Sequence, residues 1–331
     1  MRRQFLKGLM AAVAVPSALR AQGLSDTVQL RMASFNVGSS WYVYAVAIAD
    51  AVKKAFPEGT GFEVLAYQGG IGNPHIVHNG DADLALSFAA LSNWAHAGRL
   101  GFAEPMTDLR GLVGNLAAPH RLAIVARRDA RVGSLAEIAE GRPVRLVTTA
   151  RGSAGELLAR LALEAYGLDY AAVEAAGGRV THIDLPVAIQ QMRDGQADLL
   201  IHNVGFKHPA VLELSLGGAV DFLEMGAEQR AFIAETYGLS DGLSIDAGEY
   251  EGVDSAIASV GYPTSVIVSK RMSVDVAYAL TRAICEGAET LRSAHPGLAE
   301  FDPARAASTA GNGGLQLHPG AERYYREAGL L

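Results

Sequence analysis

Two glycine-serine turns stand before amphipathic helical patterns and are the first candidates for binding chemistry. One is Gly38-Ser39-Ser40, and the other is Gly152-Ser153. The first turn of a helix presents unpaired backbone N–H groups and a partial positive charge, so it attracts a carboxylate or a phosphate. Serine there also acts as a plain N-cap, and this alternative stays open for each turn taken alone. Because the turns occupy equivalent places in two halves of the chain, we take Ser39, Ser40, Gly152 and Ser153 as candidate ligand-binding residues.

Aromatic and glycine-rich segments near the first turn add further candidates. Trp41 and Tyr42 directly follow this turn, and an aromatic side chain there offers an apolar wall with a polar end. Trp41 also fits the buried stripe of its helix, so a core position is the alternative. Gly70 and Asn73 lie in a loop at the end of a strand pattern. Glycine lets the backbone approach a ligand closely, although it also simply makes turns.

Polar side chains at other strand ends complete the candidate set. Arg151 lies between a strand and the second turn, where its guanidinium could bind a carboxylate through two hydrogen bonds. A solvated surface arginine is the alternative. Ser87 ends a short buried strand pattern, and Asn203 and His208 follow the equivalent strand of the second half. Hydrogen bonds from these residues are expected to contribute to the same binding site.

Histidine is abundant, with nine residues, but its spacing does not predict a metal site or an enzyme. No His-Glu-x-x-His segment or cysteine cluster supplies three or four converging ligands. No Gly-x-Ser-x-Gly elbow with an obvious partner and no phosphate-binding loop is present. We therefore expect no catalytic residue, no metal and no cofactor.

Strand patterns alternate with helix patterns along the chain, and this predicts an α/β protein. The same arrangement occurs twice. A Gly-x-Ala-Asp-Leu segment begins at Gly80 and again at Gly195, each time before a short apolar strand. Gly38 and Gly80 are 42 residues apart, and Gly152 and Gly195 are 43 residues apart. Matching segments at matching distances predict two lobes of similar build.

Two α/β lobes of this kind place a ligand cleft between them, because ligands bind beyond the carboxyl ends of the strands in an open α/β sheet. The apolar run Leu122–Ala126 is suited to one crossing between the lobes, and the run Ser265–Ser269 to the return. A long helix is expected from about Ser273 to Leu291. We assign residues 22–121 plus 262–331 to lobe 1 and residues 122–261 to lobe 2.

Composition is that of a globular protein. Of 331 residues, 50% are hydrophobic and 19% are charged, and the formal net charge is −7. Lysine and arginine are scattered, which argues against a nucleic-acid partner. Cys285, the only cysteine, lies in an apolar helical pattern and is expected to be a buried apolar residue.

The first 21 residues are typical of a bacterial export signal. Arg2, Arg3 and Lys7 come before a short apolar core, the small residue Ala21 ends the segment, and we expect cleavage after about Ala21. The Arg2-Arg3 pair, with Phe5-Leu6 after it, indicates a twin-arginine signal, and an ordinary Sec signal is the alternative. No later apolar run is long enough to span a bilayer, so we expect a soluble mature protein in the periplasm.

Several short segments, in order and spacing, resemble the TAXI family, the extracytoplasmic solute receptors of tripartite (TRAP) transporters. The segments in the first half are Gly38–Tyr44, Gly69–Pro74, Gly80–Leu84 and Leu109–Leu112. Those in the second half are Ser134–Ile138, Gly152-Ser153, Asp194–Asp198 and His208–Ala210. The resemblance covers nearly all of the chain that follows the signal.

This resemblance implies a type II periplasmic-binding-protein fold, with two α/β lobes, a closing ligand cleft and crossover hinge strands. It implies a small organic anion such as a carboxylate or an amino acid as the ligand, and membrane subunits of a TRAP transporter as partners. We expect the protein to be a monomer. Phe35-Asn36-Val37 and Ala150-Arg151 depart from the usual family pattern close to the expected ligand. The identity of the substrate is therefore not carried over from the family.

Two other functions remain open on the sequence. A periplasmic ligand sensor for a signalling receptor would share the whole fold. An enzyme on the same scaffold would need a nucleophile or an acid-base pair in the cleft, and none stands out. A small-molecule transport receptor remains the main prediction.

Overall fold

A computed structural model describes Leu24, residues 26–67 and residues 69–331. The export signal predicted for residues 1–21 lies outside the described residues. In the first part of the chain, strands and helices alternate. They are β1 (Gln29–Ala33), α1 (Ser40–Ala55), β2 (Gly61–Leu65), α2 (Gly72–Asn79), β3 (Leu84–Phe88) and α3 (Ala89–Ala97).

The middle of the chain begins with a 19-residue strand, β4 (Leu109–Arg127). The following elements are α4 (Ala136–Ala139), β5 (Arg145–Thr148), α5 (Ala154–Glu164), α6 (Tyr170–Ala175), β6 (Arg179–His182), α7 (Leu185–Arg193), β7 (Leu199–Val204), α8 (Pro209–Ser215), β8 (Val220–Phe222), α9 (Ala227–Tyr237) and β9 (Ser240–Ile245). The 13-residue strand β10 (Ile257–Ser269) then returns. Four helices end the chain: α10 (Val274–Glu286), α11 (Ala288–Ala294), α12 (Pro303–Ala306) and α13 (Pro319–Glu327).

The strands of the described residues form one sheet in the order β2-β1-β3-β10-β4-β7-β5-β6, with β8 on β4 and β9 on β10. Strands β1, β2 and β3 pair in parallel, and so do β5, β6 and β7. The long strands β10 and β4 run antiparallel between these two blocks. We call the block of β1–β3 with its helices the first lobe, and the block of β5–β7 with its helices the second lobe. The predicted α/β class with two joined lobes is confirmed.

The repeated Gly-x-Ala-Asp-Leu segment has the same structural role in both lobes. In the first lobe, the Asp83 carboxylate accepts a bond from the Arg31 backbone N–H at 2.8 Å, and the Arg31 side chain donates to the Gly80 carbonyl. In the second lobe, Asp198 accepts from the Arg145 backbone N–H, also at 2.8 Å, and the Arg145 side chain donates to the Gly195 carbonyl. Both glycines have positive φ, which ends the preceding helix. In each lobe, the segment therefore links the end of a helix to a neighbouring strand, α2 to β1 in the first lobe and α7 to β5 in the second.

The two long strands approach each other very closely at the crossing. Gly261 pairs with Arg121, and a Cβ added at Gly261 would overlap the backbone oxygen of His120. Glycine is therefore required at this position, because any side chain would push the strands apart. The β4–β10 register shifts between Tyr262 and Thr264 and again at Val266, so the pairing is irregular just beyond this contact.

The structure corrects one predicted helix and confirms the placement of the cysteine. The single helix expected over residues 273–291 is two helices, α10 and α11, separated at Gly287. A Cβ at Gly287 would lie 2.7 Å from the Ala283 backbone oxygen and 2.9 Å from the Ala51 Cβ, so close packing where the two helices join requires glycine. Cys285 is buried, with 4% of its surface exposed. Among the described residues, we find no helix of the length and apolarity needed to cross a bilayer.

Candidate functional site

The first glycine-serine turn leaves the positive end of α1 open. Ser39 is the N-cap, and its Oγ accepts a bond from the Tyr42 backbone N–H at 3.2 Å. The N–H groups of Ser40 and Trp41 have no acceptor among the described residues. No acidic side chain lies in the first turn of this 16-residue helix. Its dipole and two free donors are therefore available to an anion.

The second glycine-serine turn is different, because a carboxylate of the chain already lies there. Ser153 caps α5 and accepts from the Glu156 backbone N–H at 3.2 Å. The Glu156 carboxylate, 3% exposed as a residue, accepts from the Gly152 N–H at 3.1 Å and lies 3.2 Å from Arg160. This arrangement resembles a capping box and offsets much of the helix's positive end. The α5 turn is the weaker of the two anion sites.

The edges of the two lobes meet at Gly70. This residue has a φ of +51°, and a Cβ added to it would lie 3.7 Å from the Ala154 backbone nitrogen. The loop that carries Gly70 is held by Asn73, whose Nδ2 donates to the carbonyls of Ser34 and Leu86 at 3.1 and 2.8 Å. Since carbonyls only accept, the amide orientation is fixed. The Asn73 Oδ1 has no partner among the described residues.

Four rings form an aromatic cluster where the first lobe meets the long strands. We define this cluster as Trp41, Phe88, His120 and Tyr262. The Phe88 ring centre lies 4.5 Å from that of Trp41, 4.8 Å from His120 and 4.4 Å from Tyr262. The Trp41 Nε1–H also donates to Thr264 Oγ1 at 3.3 Å. Trp41, Phe88 and Tyr262 are buried, with 5%, 4% and 1% of their surfaces exposed, so these rings belong to the core next to the free end of α1, and Trp41 takes the core position given as the alternative.

Three imidazoles gather on the second lobe's side of the same region. We define the histidine cluster as His120, His202 and His208. The rings of His202 and His208 are perpendicular, with centres 5.9 Å apart, and His120 Nδ1 lies 3.3 Å from Asn203 Nδ2. Burial lowers the pKa of all three side chains, to about 3 for His120 and for His202. These imidazoles are therefore neutral at pH 7 in the structure described.

Comparison with known proteins identifies the family. A model of the NMT1-like family matches residues 32–329, which is most of the chain. The chain belongs to the NMT1-like family. Its fold is that of periplasmic binding proteins, as three solved structures show. MatC from Rhodopseudomonas palustris with bound malate is 14% identical, with a TM-score of 0.54 over 92% of this chain and 98% of that one. The periplasmic binding protein BugD is 16% identical over 92% and 98%, with a TM-score of 0.53. A TctC solute-binding protein from Polaromonas is 15% identical over 93% and 100%, with a TM-score of 0.51.

In this NMT1-like chain, the remaining sequence candidates are placed as follows. Ser87 is fully buried, and its hydroxyl is engaged by Ser92 Oγ at 2.7 Å. Tyr42 is half-buried on the first turn of α1. Arg151 is exposed, and its guanidinium carbon lies 5.6 Å from the ring centre of Tyr170. Pairing of Arg151 with a ligand carboxylate stays a prediction.

A buried ion pair lies under the histidine cluster of this NMT1-like protein. Arg121 donates to both carboxylate oxygens of Glu249, at 2.7 and 2.6 Å, and also to the Ser244 carbonyl at 2.9 Å. The carboxylate accepts a further bond from the Lys207 backbone N–H at 3.0 Å. The Tyr250 hydroxyl accepts from the His208 N–H at 2.9 Å. The pair and the tyrosine together fix the turn that carries His208.

Sequence reasoning missed His120, His202, Phe88 and Tyr262 as site residues, and it missed Arg121 and Glu249 as their support. One local signal was present, since Arg121 begins an apolar run and a charge there requires a partner when it is buried. The other contacts depend on tertiary packing. Among the described residues, no three His, Cys, Asp or Glu side chains converge in a way that could hold a metal ion.

Proposed function

We propose that this protein is an extracytoplasmic solute receptor that captures a small organic anion between its two lobes and passes it to the membrane subunits of a TRAP transporter of the TAXI type. The finer part of this proposal rests on the resemblance of the sequence segments to TAXI receptors. The coarser part rests on the NMT1-like family and on the fold shared with periplasmic binding proteins. We also propose export to the periplasm with cleavage after about Ala21.

The observation that carries the proposal is a set of buried polar atoms without partners near the meeting edges of the lobes. They belong to both lobes and to the strand between them: Ser34 Oγ, Asn73 Oδ1, His202 Nδ1, His208 Nδ1 and Tyr262 OH. An unpaired buried polar atom costs about 1–3 kcal/mol, so several in one region require an explanation. A polar ligand that touches both lobes would provide the missing hydrogen bonds.

The open end of α1 supports an anionic ligand. Ser40 and Trp41 offer two free N–H donors there, and no acidic side chain opposes a bound carboxylate. The net charge of the protein is −7, but the field inside a cleft is set by the groups that line it. The structure of MatC contains bound malate, and a small carboxylate of this kind fits the chemistry proposed for the present site.

We propose that the half-buried edge of the aromatic cluster at His120 contacts the carbon skeleton of the ligand, while polar groups from both lobes hold its charged end. The polar groups proposed are Ser39, Ser40, Tyr42, Gly70, Gly152, Ser153, Asn203 and His208, with Ser87 and Arg151 retained as predicted. Asn73 is also retained, but both N–H groups of its Nδ2 already donate to carbonyls, so its free Oδ1 would accept from a donor group of the ligand and not bind the carboxylate. The lobe boundaries at residues 121/122 and 261/262 are also proposed. Arg121 pairs with Gly261 of β10 and with Val204 of β7, so it lies at the junction of the two blocks.

The proposal is tested by weighing and replacing the bound molecule. Native mass spectrometry of protein purified without denaturation should show a small added mass, and thermal shift with acetate, succinate, L-malate, 2-oxoglutarate and L-glutamate should raise the unfolding temperature for at least one acid. The matched control is the uncharged methyl ester of that acid. Small-angle scattering should show compaction on binding, because a ligand held by both lobes favours the closed form. Equal binding of acid and ester would contradict an anion receptor.

A further inference from the structure

The histidine cluster faces the meeting edges of the two lobes, and no carboxylate among the described residues raises the pKa of its rings. The ring of His202, a residue of β7, packs against the first turn of α5, where a Cβ added at Gly155 would overlap its Nδ1. His120 lies against Phe88 of the first lobe, and its Nε2 lies 3.2 Å from where a Cβ of Gly205 would be. The Nδ1 atoms of His202 and His208 are buried and have no partner among the described residues.

We propose that the carboxylate of the ligand binds against the histidine cluster and that one proton is taken up there on binding. This inference rests on the proposed function, and it names the group that balances the charge of the anion. The proton comes from solvent and binds to a free imidazole nitrogen, so a neutral ring becomes an imidazolium next to a carboxylate. The receptor would then bind an anion and a proton together.

The charged and titratable groups that face the cluster explain why it is neutral without a ligand. On β4, Arg121 is positive, and its charge disfavours a second positive charge on His120. In the turn before β10, Glu249 is bound on both oxygens by Arg121 and is therefore already neutralised. On α5, Glu156 is held by the Gly152 N–H and Arg160.

The remaining neighbours do not supply a negative charge. Tyr250 and Tyr262 have pKa values raised far above neutrality by burial, so both phenols are uncharged. The Lys207 ammonium lies 5.5 Å from the ring centre of Phe206, and its backbone N–H binds Glu249. Burial is the main cause that lowers the pKa of all three histidines, and the positive charge of Arg121 adds to it for His120.

A bound carboxylate would raise the pKa of the neighbouring imidazole. A negative charge within hydrogen-bond distance of an imidazole favours the protonated ring, and a poorly hydrated site strengthens the effect. Arg121 does not take this role, because its two terminal nitrogens already bind Glu249 and Ser244. The bound form therefore has a higher imidazole pKa than the free form. By linkage, affinity for the acid rises as the pH falls through the bound-form pKa toward the free-form pKa.

Calorimetry measures the proton directly. The wild-type protein is titrated with the acid of the panel that binds, at pH 7.0 and 6.0, in phosphate and in Tris, two buffers whose ionisation enthalpies differ widely. We expect an uptake of about 0.5–1 proton per bound acid and an affinity that rises by up to about tenfold per pH unit for a fully coupled proton. Equal observed enthalpies in the two buffers would overturn the inference. Binding in that case would leave the receptor function standing, whereas no binding by any acid would overturn both.

Two single variants test which histidine takes up the proton when the acid binds. His202→Asn and His208→Asn each keep a neutral hydrogen-bonding side chain but remove the ring that takes the proton. At least one should reduce proton uptake to under a third of the wild-type value, and weaken binding about 10–100-fold at pH 6. His96→Gln is the matched control, because His96 lies in the last turn of α3, away from the cluster. Full proton uptake in both asparagine variants would show that the proton binds elsewhere and would overturn the assignment.

Discussion

Arg121 and Glu249 form a two-bond ion pair in which the arginine side chain is 6% exposed and the glutamate side chain is 1% exposed. The arginine lies at the junction of β4 with β7 and β10, and the glutamate lies in the turn that leads into β10. Because the Lys207 N–H also binds this carboxylate, the pair ties the connection between the lobes to the turn that carries His208.

Removal of one partner of this pair should be strongly destabilising. Glu249→Ala leaves the Arg121 charge buried and unpaired, and we expect a loss of about 3–5 kcal/mol in the free energy of unfolding, measured by urea denaturation. The matched control is Asp221→Ala, which removes the partner of Arg128 from a pair whose side chains are 47% and 55% exposed. That loss should stay below about 1 kcal/mol. Similar losses in the two variants would show that the Arg121–Glu249 pair is not a special support of the site.

The two-lobed build was predictable from the sequence because its signals are local and repeated. The Gly-x-Ala-Asp-Leu segments each combine a helix end, a turn and a strand start within a few residues, so similar local physics produces similar structure twice. The capping roles of Ser39 and Ser153 were open to the same reasoning. The Ser153-x-x-Glu156 spacing is itself a capping-box pattern, so the carboxylate at the second turn was also recognisable from the sequence, as was the lack of an acidic residue in the first turn of α1.

The histidine cluster and its support could not be predicted, because they depend on contacts between distant residues. Arg121 and Glu249 are 128 residues apart in the chain, and no pattern in either segment points to the other. Likewise, the His202 ring fits where it does because Gly155 has no side chain, and the His120 ring packs against Phe88. The helix expected over residues 273–291 failed in part for a related reason, since a Cβ at Gly287 would be too close both to the Ala283 backbone oxygen and to Ala51 of the distant helix α1.

Gly155→Ala should displace His202 and weaken ligand binding. The added Cβ would overlap His202 Nδ1 and would lie 2.5 Å from Thr149 Oγ1, so the imidazole must move. We expect a loss of about 1–3 kcal/mol in the free energy of unfolding, typical of overpacking in a tight site. Adding His202→Ala to Gly155→Ala should recover part of that loss. A double variant whose losses simply add would show that the two residues do not interact.

Arg151→Ala distinguishes the predicted ligand contact from the placement seen in the structure. The guanidinium is exposed and lies over Tyr170, which donates to Glu156 at 3.1 Å. On this placement, the loss in binding free energy measured by calorimetry should be under about 0.5 kcal/mol. A desolvated contact with the carboxylate would instead cost about 2–5 kcal/mol. The larger value would show that Arg151 moves to the ligand when it binds.

Acid should destabilise the ligand-free protein through the histidine cluster. Burial is the main cause that lowers the pKa of His120 and of His202 to about 3 in the folded protein, whereas an unfolded histidine has a pKa near 6.5. Between these values the unfolded chain binds more protons than the folded one. Stability is therefore highest above pH 6.5 and falls as the pH drops toward 3.

Urea denaturation at pH 7.0 and 5.0 tests this prediction. Over this interval we expect the two histidines together to lower the free energy of unfolding by roughly 2–4 kcal/mol, since each fully coupled proton contributes about 1.4 kcal/mol per pH unit. Asp108 and Asp198 have folded pKa values below their usual range and stay ionised at pH 5, so they do not contribute to the change. The double variant His120→Gln/His202→Asn removes both buried imidazoles, and its stability should change by at least about 2 kcal/mol less over the same interval. An equal change in wild type and double variant would mean that these imidazoles are already protonated in the folded protein at pH 5.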